Sequence, residues 1–363
     1  MGIAAVQADL YRIPLPTTLS DSTHGDIANF ELITVRLRDE DGMEGLGYTY
    51  TVGVGGVAVR SLVARDLGPV LQKEDPRRIE HLWEQMWWRL HYVGRGGLAT
   101  LAISAVDIAL WDLITRRQGE PLWRVLGGHH NRVPAYAGGV DLHFPLEALT
   151  EQTRHFLAQG FRAIKMKVGR RRIAEDLARV AAVRGILGAD ITLMVDANMR
   201  WSVDEAIWAS RALAEYGVYW LEEPTIPDDV AGHVKIVQKG SLPVAAGENL
   251  RTLYEFNRLI EAGGVSFPEP DVSNIGGVTV WMKVAHMAEG HNLPVTSHGV
   301  HDLHVHLLAA VPNASYLETH AFGLERFLIH PLQMVGGEAI APDRPGHGVE
   351  LDWEKLEAYR ERS

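Results

Sequence analysis

The chain has no cysteine at all. Disulfide frameworks, thiolate zinc sites and cysteine nucleophiles are therefore excluded. Positive charge is also short: 35 lysines and arginines stand against 46 aspartates and glutamates, a formal net charge of −11. That deficit argues against gripping a nucleic-acid backbone, which needs a basic face. An anionic small molecule stays open, because a divalent cation and a few lysines reverse the sign locally. No run approaches the about 18 consecutive apolar residues of a membrane span. The start, MGIAAVQADLYRIPLP, lacks a basic stretch followed by a long apolar one. The expectation is a cytoplasmic protein with no signal peptide and neither membrane nor nucleic acid as partner. Low-complexity segments and short tandem repeats are absent as well.

What is present suits a barrel of ~250 residues plus one smaller domain, since the chain has 363 residues. Phe30 to Arg38 alternates like a half-buried strand, Asp41-Gly42 makes a turn, and Gly45 to Thr51 reads as the returning strand. Helical patterns follow over Val57–Leu67, Arg77–Leu90 and Leu98–Arg117. This is an α+β piece, expected over residues 1–127. From about Val133 short apolar strands alternate with amphipathic helices. The strands are Ala163–Val168, Thr192–Asp196, Trp220–Glu222, Val244–Glu248, Phe267–Asp271, Pro294–His298 and Tyr316–Glu318. Such alternation predicts parallel strands with crossover helices, and its number of repeats favours a closed (β/α)8 barrel over 128–334. A tail, 335–363, leaves the pattern and ends in a polar helix over Trp353–Arg362.

Each predicted barrel strand ends in an ionisable group: Lys165 and Lys167, then Asp196, Glu222, Glu248, Asp271, His298 and Glu318. Carboxyl-terminal strand ends of such a barrel converge on one mouth. Three converging carboxylates, Asp196, Glu222 and Glu248, repel one another unless a cation sits between them, and oxygen-only ligation suits Mg²⁺. Lys165 and Lys167 lie two apart on one strand and share a face. Side by side, each disfavours the other's charge, so at least one pKa should fall and yield a base near neutral pH. Asp271 can orient the His298 imidazole and raise its basicity. Glu318 is placed to bind substrate or donate to a developing enolate. These parts suit removal of a proton beside a carboxylate, where metal and donors stabilise the enediolate. The histidines of HDLHVHLL, His301, His304 and His306, read as helix residues rather than metal ligands.

The segments IKMKV (164–168), VDAN (195–198), WLEEP (220–224), AAGEN (245–249), PEPDVSNIGG (268–277), TSHG (296–299) and YLETH (316–320) resemble the mandelate racemase subgroup of the enolase superfamily. The resemblance covers essentially the whole chain. It implies a modified (β/α)8 TIM barrel with an N-terminal α+β capping domain completed by the tail. It implies one Mg²⁺ held by Asp196, Glu222 and Glu248, a base at Lys167 supported by Lys165, and an Asp271/His298 dyad. It also implies Glu318 at the substrate carboxylate. Asp271 stands where the muconate-lactonising and dipeptide-epimerase subgroups carry lysine, which disfavours both. Homo-oligomers, from dimer to octamer, are common in the subgroup.

A narrower set, SDSTHGD (20–26), FELITVRL (30–37), GYTYTVGVGG (47–56), HYVGRGG (91–97), GGVDLHFPLE (138–147) and EEPTIPDD (222–229), is similar to the 3,6-anhydro-α-L-galactonate cycloisomerases. That likeness implies an acid-sugar substrate, loss of its C2 proton and departure of the ring oxygen from C3. The loops carrying His24, Asp26, Tyr50 and Arg95 would then face substrate. Galactarate and talarate dehydratases share much of the scaffold. A racemase or epimerase would use the same two bases, and a non-catalytic barrel would have lost one of these groups.

Overall fold

The computed structural model describes residues 2–320 and 322–362. Its first sheet is antiparallel, in the order β1 (Ile3–Asp21), β2 (Gly25–Asp39), β3 (Glu44–Thr51). Asp39 makes the β2–β3 turn: its Oδ1 accepts from the backbone of Asp41 and Met43, and Gly42 supplies the positive φ of 86°. Sequence reading finds β2 and β3 but not β1, because Pro14 and Pro16 demote a strand. The structure keeps them on an edge strand, with a register shift between Pro14 and Leu19 where ladder donors are missing. The predicted helix over Val57–Leu67 divides into an α-helix, Gly56–Ser61, and a wider π-type turn, Leu62–Leu67.

Helix Leu98–Gln118 packs across this sheet. Gly45 and Gly47 allow it: a Cβ at either would collide with the helix backbone, that of Ala109 and of Ala105 respectively. By length and composition this helix could cross a membrane, which the count of apolar runs missed, but 83% of the relevant window is buried inside the fold.

The second sheet curls into the barrel. Strands β4 (Arg132–Gly138), β5 (Ala163–Lys167), β6 (Thr192–Asp196), β7 (Val218–Glu222), β8 (Val244–Ala246) and β9 (Phe267–Pro268) pair in parallel, and β10 (Leu317–His320) pairs with β4. The predicted strand over Pro294–His298 does not form a ladder. It contributes one bridge, Val295 to Ala314, and a hydrogen bond from Thr296 N to the Pro268 carbonyl at 3.0 Å. That is enough to close the ring between β9 and β10. The strand predicted over Phe267–Asp271 stops at Pro268, since Pro268 and Pro270 bring no N–H. Below the mouth the interior is filled by Tyr136, Met194, Trp220 and Phe267. Capping boxes at Ser202/Glu205 and Thr252/Glu255 start two of the crossover helices.

The end of the chain stitches the two sheets together. A hairpin of β11 (Gln333–Val335) and β12 (Glu338–Ile340) pairs with the start of β4. Farther on, His347 donates from Nε2 to the Leu46 carbonyl on β3 at 2.6 Å, while Asp112 Oδ1 accepts from its backbone at 3.0 Å. The final helix is shorter than the predicted Trp353–Arg362: it covers Trp353–Glu357, after which Arg12 N reaches the Tyr359 carbonyl and Glu361 N the Leu10 carbonyl.

Gly47→Ala should lower stability by about 1–3 kcal/mol, the usual cost of overpacking. A urea unfolding midpoint equal to that of the wild type would show that the helix can back away from β3.

Candidate active site

Alternation along β5 puts Lys165 and Lys167 on one face, and both are buried. The parallel register sets Lys167 beside Asp196, and Asp196 beside Glu222. Glu248 and Asp271 follow the ends of β8 and β9, and Glu318 lies on β10. All the strand-end groups expected from the sequence thus meet at one mouth. One ligand oxygen each from Asp196, Glu222 and Glu248 lies within 4.8 Å of the others.

Charge is unbalanced here. Asp196, Glu222, Glu223, Glu248, Glu269, Asp271 and Glu318 are all buried. Against them stand Lys165, Lys167 and His298. Lys165 contacts Glu222 and lies 2.8 Å from Glu318 Oε1 and 3.8 Å from Asp196 Oδ2. Lys167 pairs with Asp196. Burial works against the ammonium of Lys165, yet Glu222 and Glu318 outweigh it and hold its pKa well above the usual lysine range. Burial likewise opposes Lys167, and Asp196 raises it. Facing the carboxylates alone, both lysines are raised rather than lowered, the reverse of the sequence expectation. The sequence shows the two lysines side by side but not the carboxylates that surround them.

The surplus of carboxyls marks a cation site. Burial drives Glu222 well above the carboxylate range, and the same holds for Glu223 and Glu269. Glu248 Oε2 is buried and, among the described residues, has an ion pair with His298 Nε2 but accepts no hydrogen bond. Such an all-oxygen, over-acidic cradle fits Mg²⁺.

The dyad forms as expected. His298 Nδ1 is 3.0 Å from Asp271 Oδ2, and its Nε2 is 3.2 Å from Glu248 Oε2. Asp271 Oδ1 is held by the backbone N and the hydroxyl of Ser273, at 2.8 and 2.7 Å. Burial disfavours the imidazolium, but Glu248 and the Asp271 hydrogen bond raise His298 to about 10. Lys167, Glu248 and His298 open onto a cavity of about 240 Å³ between barrel and cap. Lys165, Asp196, Glu222, Asp271 and Glu318 are not among the residues that line it.

Residues 148–355 match the family "Enolase C-terminal domain-like", and residues 4–127 match the mandelate racemase/muconate lactonizing enzyme N-terminal domain. The chain belongs to the enolase superfamily. Within it, the chain is 57% identical over 354 residues to a 3,6-anhydro-alpha-L-galactonate cycloisomerase from Streptomyces coelicolor, covering 98% of each. A solved structure described as a racemase from Streptomyces coelicolor A3(2) with bound magnesium superposes with a TM-score of 0.97 at 56% identity, over 99% of this chain and 100% of that one. An L-talarate dehydratase from Polaromonas sp. JS666, complexed with Mg and L-glucarate, gives 0.94 at 33% identity, over 99% and 98%.

The cap completes this enolase-superfamily site unevenly. His24 and Tyr50 line the cavity. His24 Nδ1 is 2.9 Å from Asp21 Oδ2, and that hydrogen bond raises its pKa. Ser22 and Thr23 hydrogen-bond the carbonyls of Ala197 and Asn198, which pins this loop over the end of β6. The Tyr50 hydroxyl donates to Asp271 Oδ2 at 3.5 Å. Asp26 and Arg95 lie elsewhere, contrary to expectation. Asp26 is exposed and faces His143 at 3.6 Å, and Arg95 borders a separate cleft with Trp88 and Tyr254. Residue spacing within a loop does not say which side chain turns inward. The sequence reading also missed Asn198, Asn249, Arg251 and Asn274 on the cavity wall. All four lie within three residues of an expected metal ligand or dyad acid, and proximity to those motifs was the one available signal. Arg251 donates to the Glu248 carbonyl at 2.9 Å and to Asn249 Oδ1 at 3.3 Å.

Asp26→Ala and Arg95→Ala should each leave kcat/KM within about twofold of wild type, as for surface changes. A tenfold loss in steady-state assays of either variant would place that residue back at the substrate.

Proposed function

We propose that this chain is a Mg²⁺-dependent cycloisomerase acting on 3,6-anhydro-L-galactonate to give 2-keto-3-deoxy-L-galactonate. The observation that carries this reading is the 57% identity along nearly the whole of both chains to an enzyme of that name, together with a full set of metal-ligating and acid–base side chains at one mouth. Asp196, Glu222 and Glu248 would hold one Mg²⁺, whose contribution when bound is to stabilise the negative charge of the enediolate.

The rest falls to the chain's own groups. Lys167 and His298 both reach the cavity. A cation held by Asp196 and Glu248 would offset the negative charge that raises both pKa values; the group left unprotonated takes the proton from C2, and the other gives a proton to the ring oxygen as its bond to C3 breaks. The electrons of the C2–H bond end in a C2=C3 double bond, and the oxygen leaves as the C6 hydroxyl. The resulting enol becomes a ketone by losing its hydroxyl proton and gaining one at C3. Atoms balance without water, as an isomerisation requires. Lys165 holds Glu222 and Glu318 in place rather than reaching the cavity. Asp271 fixes the His298 ring. His24 and Tyr50 would contact substrate from the cap.

The cavity roof favours this reading over an aldarate dehydratase. Ile27, Val52, Val54, Leu98, Leu101 and Phe322 form an apolar wall. A ring-closed anhydro acid has one carboxylate and fewer hydroxyls to leave unpaired against it. The dehydratase remains the second reading, supported by the 33% identical L-talarate dehydratase. A cap of 1–127, a barrel of 128–334 and a tail of 335–363 belong to the same proposal, supported by the tail's hydrogen bonds to Leu46 and Asp112. So do a cytoplasmic location and assembly into a homo-oligomer. Exposed Trp88 and Tyr254 offer apolar surface for assembly.

The deciding experiment is a side-by-side assay of 3,6-anhydro-L-galactonate and galactarate with Mg²⁺, detecting 2-keto-3-deoxy acids. Turnover of the anhydro acid is expected, and turnover of galactarate alone would move the chain to the dehydratases. Lys167→Ala and His298→Asn should each lower kcat by at least ~100-fold with the fold intact; wild-type rates in both would sink the assignment. EDTA should abolish turnover and added Mg²⁺ restore it, whereas activity that persists through exhaustive chelation would remove the metal from the reaction.

A further inference from the structure

The segment HDLHVHLL (301–308) has no part in the chemistry above, yet one of its histidines touches the frame of the dyad. His304 lies on helix His301–Ala310 and is fully buried, with its ring 6.1 Å from that of Trp281. Its Nε2 accepts from the backbone N of Val272 at 3.0 Å, and its Nδ1 lies 2.8 Å from the carbonyl oxygen of Gly299. A backbone N–H only donates and a carbonyl only accepts. Nε2 must therefore be bare and Nδ1 must carry the proton. Burial, which pushes this imidazole down to about 4, agrees with a neutral ring.

Both partners adjoin the dyad. Val272 follows Asp271, and Gly299 follows His298. The turn after His298 is also a conformation the chain would not hold unaided. Gly299 has φ 57° and Val300 has φ 30°, the latter a left-handed backbone at a β-branched residue. Four hydrogen bonds hold it. Gly299 N donates to Glu318 Oε2 at 2.8 Å, the Gly299 carbonyl accepts from His304, and the Val300 carbonyl accepts from the backbone N of Leu303 at 2.9 Å and of His304 at 3.1 Å.

We propose that His304 is a positioning residue, a neutral clamp that joins the Asp271 segment to the Gly299–Val300 turn and so sets the aim of the His298 imidazole. This role presupposes that His298 is an acid–base group of the reaction proposed above.

Two variants of the full-length Mg²⁺-loaded enzyme test it. His304→Phe keeps a flat ring but removes both hydrogen bonds, whereas His304→Gln retains a donor and an acceptor. His304→Phe should lower kcat by ~10- to 100-fold, the scale of a misplaced catalytic group, with KM changed less than about threefold, and His304→Gln should recover part of that loss. The ¹⁵N spectrum of histidine-labelled wild type at neutral pH should contain a neutral Nδ1–H ring signal that vanishes in His304→Gln. A kcat equal to wild type in His304→Phe, equal losses in both variants, or an Nε2–H or cationic signal for His304 would overturn the clamp. Should His304→Phe fail to fold, the wild-type tautomer and the His304→Gln kinetics still decide. If wild type converts neither acid sugar, the reaction proposed above falls, and the tautomer alone then judges His304.

Discussion

The burial of two ammonium groups among seven carboxyls is the constraint around which this molecule is organised. Taking an ion out of water costs several kcal/mol even after relaxation. One opposite charge about 4 Å away returns about 4 kcal/mol at the effective dielectric of a protein. A single partner is therefore marginal for a buried lysine. Lys165 has three carboxylates within 4.0 Å, and Lys167 has Asp196. The parallel register supplies these contacts, since pairing Lys167 with Asp196 and Asp196 with Glu222 leaves adjacent side chains no other place to point. The lysines still leave carboxyls over, and that residue of negative charge is what a divalent cation answers.

Such a cluster must also be kept from open water, and the cap does this. Cap and barrel are joined through buried polar contacts rather than by apolar packing alone. His306 Nε2 donates to the His347 carbonyl at 2.8 Å, and His347 in turn donates to Leu46 on β3. Asp112 on the long cap helix accepts from the backbone of both Leu46 and His347. Removing one partner of a buried pair leaves the other unsatisfied, a loss larger than the bond's own contribution. The cap is thus held in a fixed pose over the mouth. Its His24 loop is fastened by Ser22 and Thr23 to the end of β6, the strand that carries Asp196.

The barrel chemistry was legible in the sequence because it sits on a repeating unit. A strand of period two followed by a helix fixes where a strand ends, and Asp196, Glu222, Glu248, Asp271, His298 and Glu318 stood at those ends. What escaped lacks such a period. Strand β1 was hidden by Pro14 and Pro16, which only an edge position with a register shift tolerates. The state of the lysines depends on neighbours from other strands, which spacing within IKMKV does not show. Asp26 and Arg95 lie off the cavity for a different reason: a loop has no phase, and a polar residue two positions from His24 can as easily face solvent. His304 was set aside correctly as a metal ligand, but its two hydrogen bonds join segments that only the closed barrel brings together.

Substrate choice follows from this division of labour. The barrel offers the same acids and bases to any α-proton beside a carboxylate, so it cannot by itself tell one sugar acid from another. Discrimination has to come from groups that meet the distal part of the substrate, and much of the cavity lining belongs to the cap, with polar His24 and Asp21 beside apolar Ile27, Val52, Val54, Leu98 and Leu101. An apolar wall rejects weakly what is merely larger or smaller, but it leaves a hydroxyl or a second carboxylate without a partner, and that is costly. Among the described residues Arg251 is the one guanidinium on the wall, and its donors are already directed at Glu248 and Asn249. A second carboxylate would have to compete for it. A compact ring-closed monoacid asks for no such exchange, and its ether oxygen would lie within a pocket bordered by Lys167 and His298, the two groups proposed to move its protons.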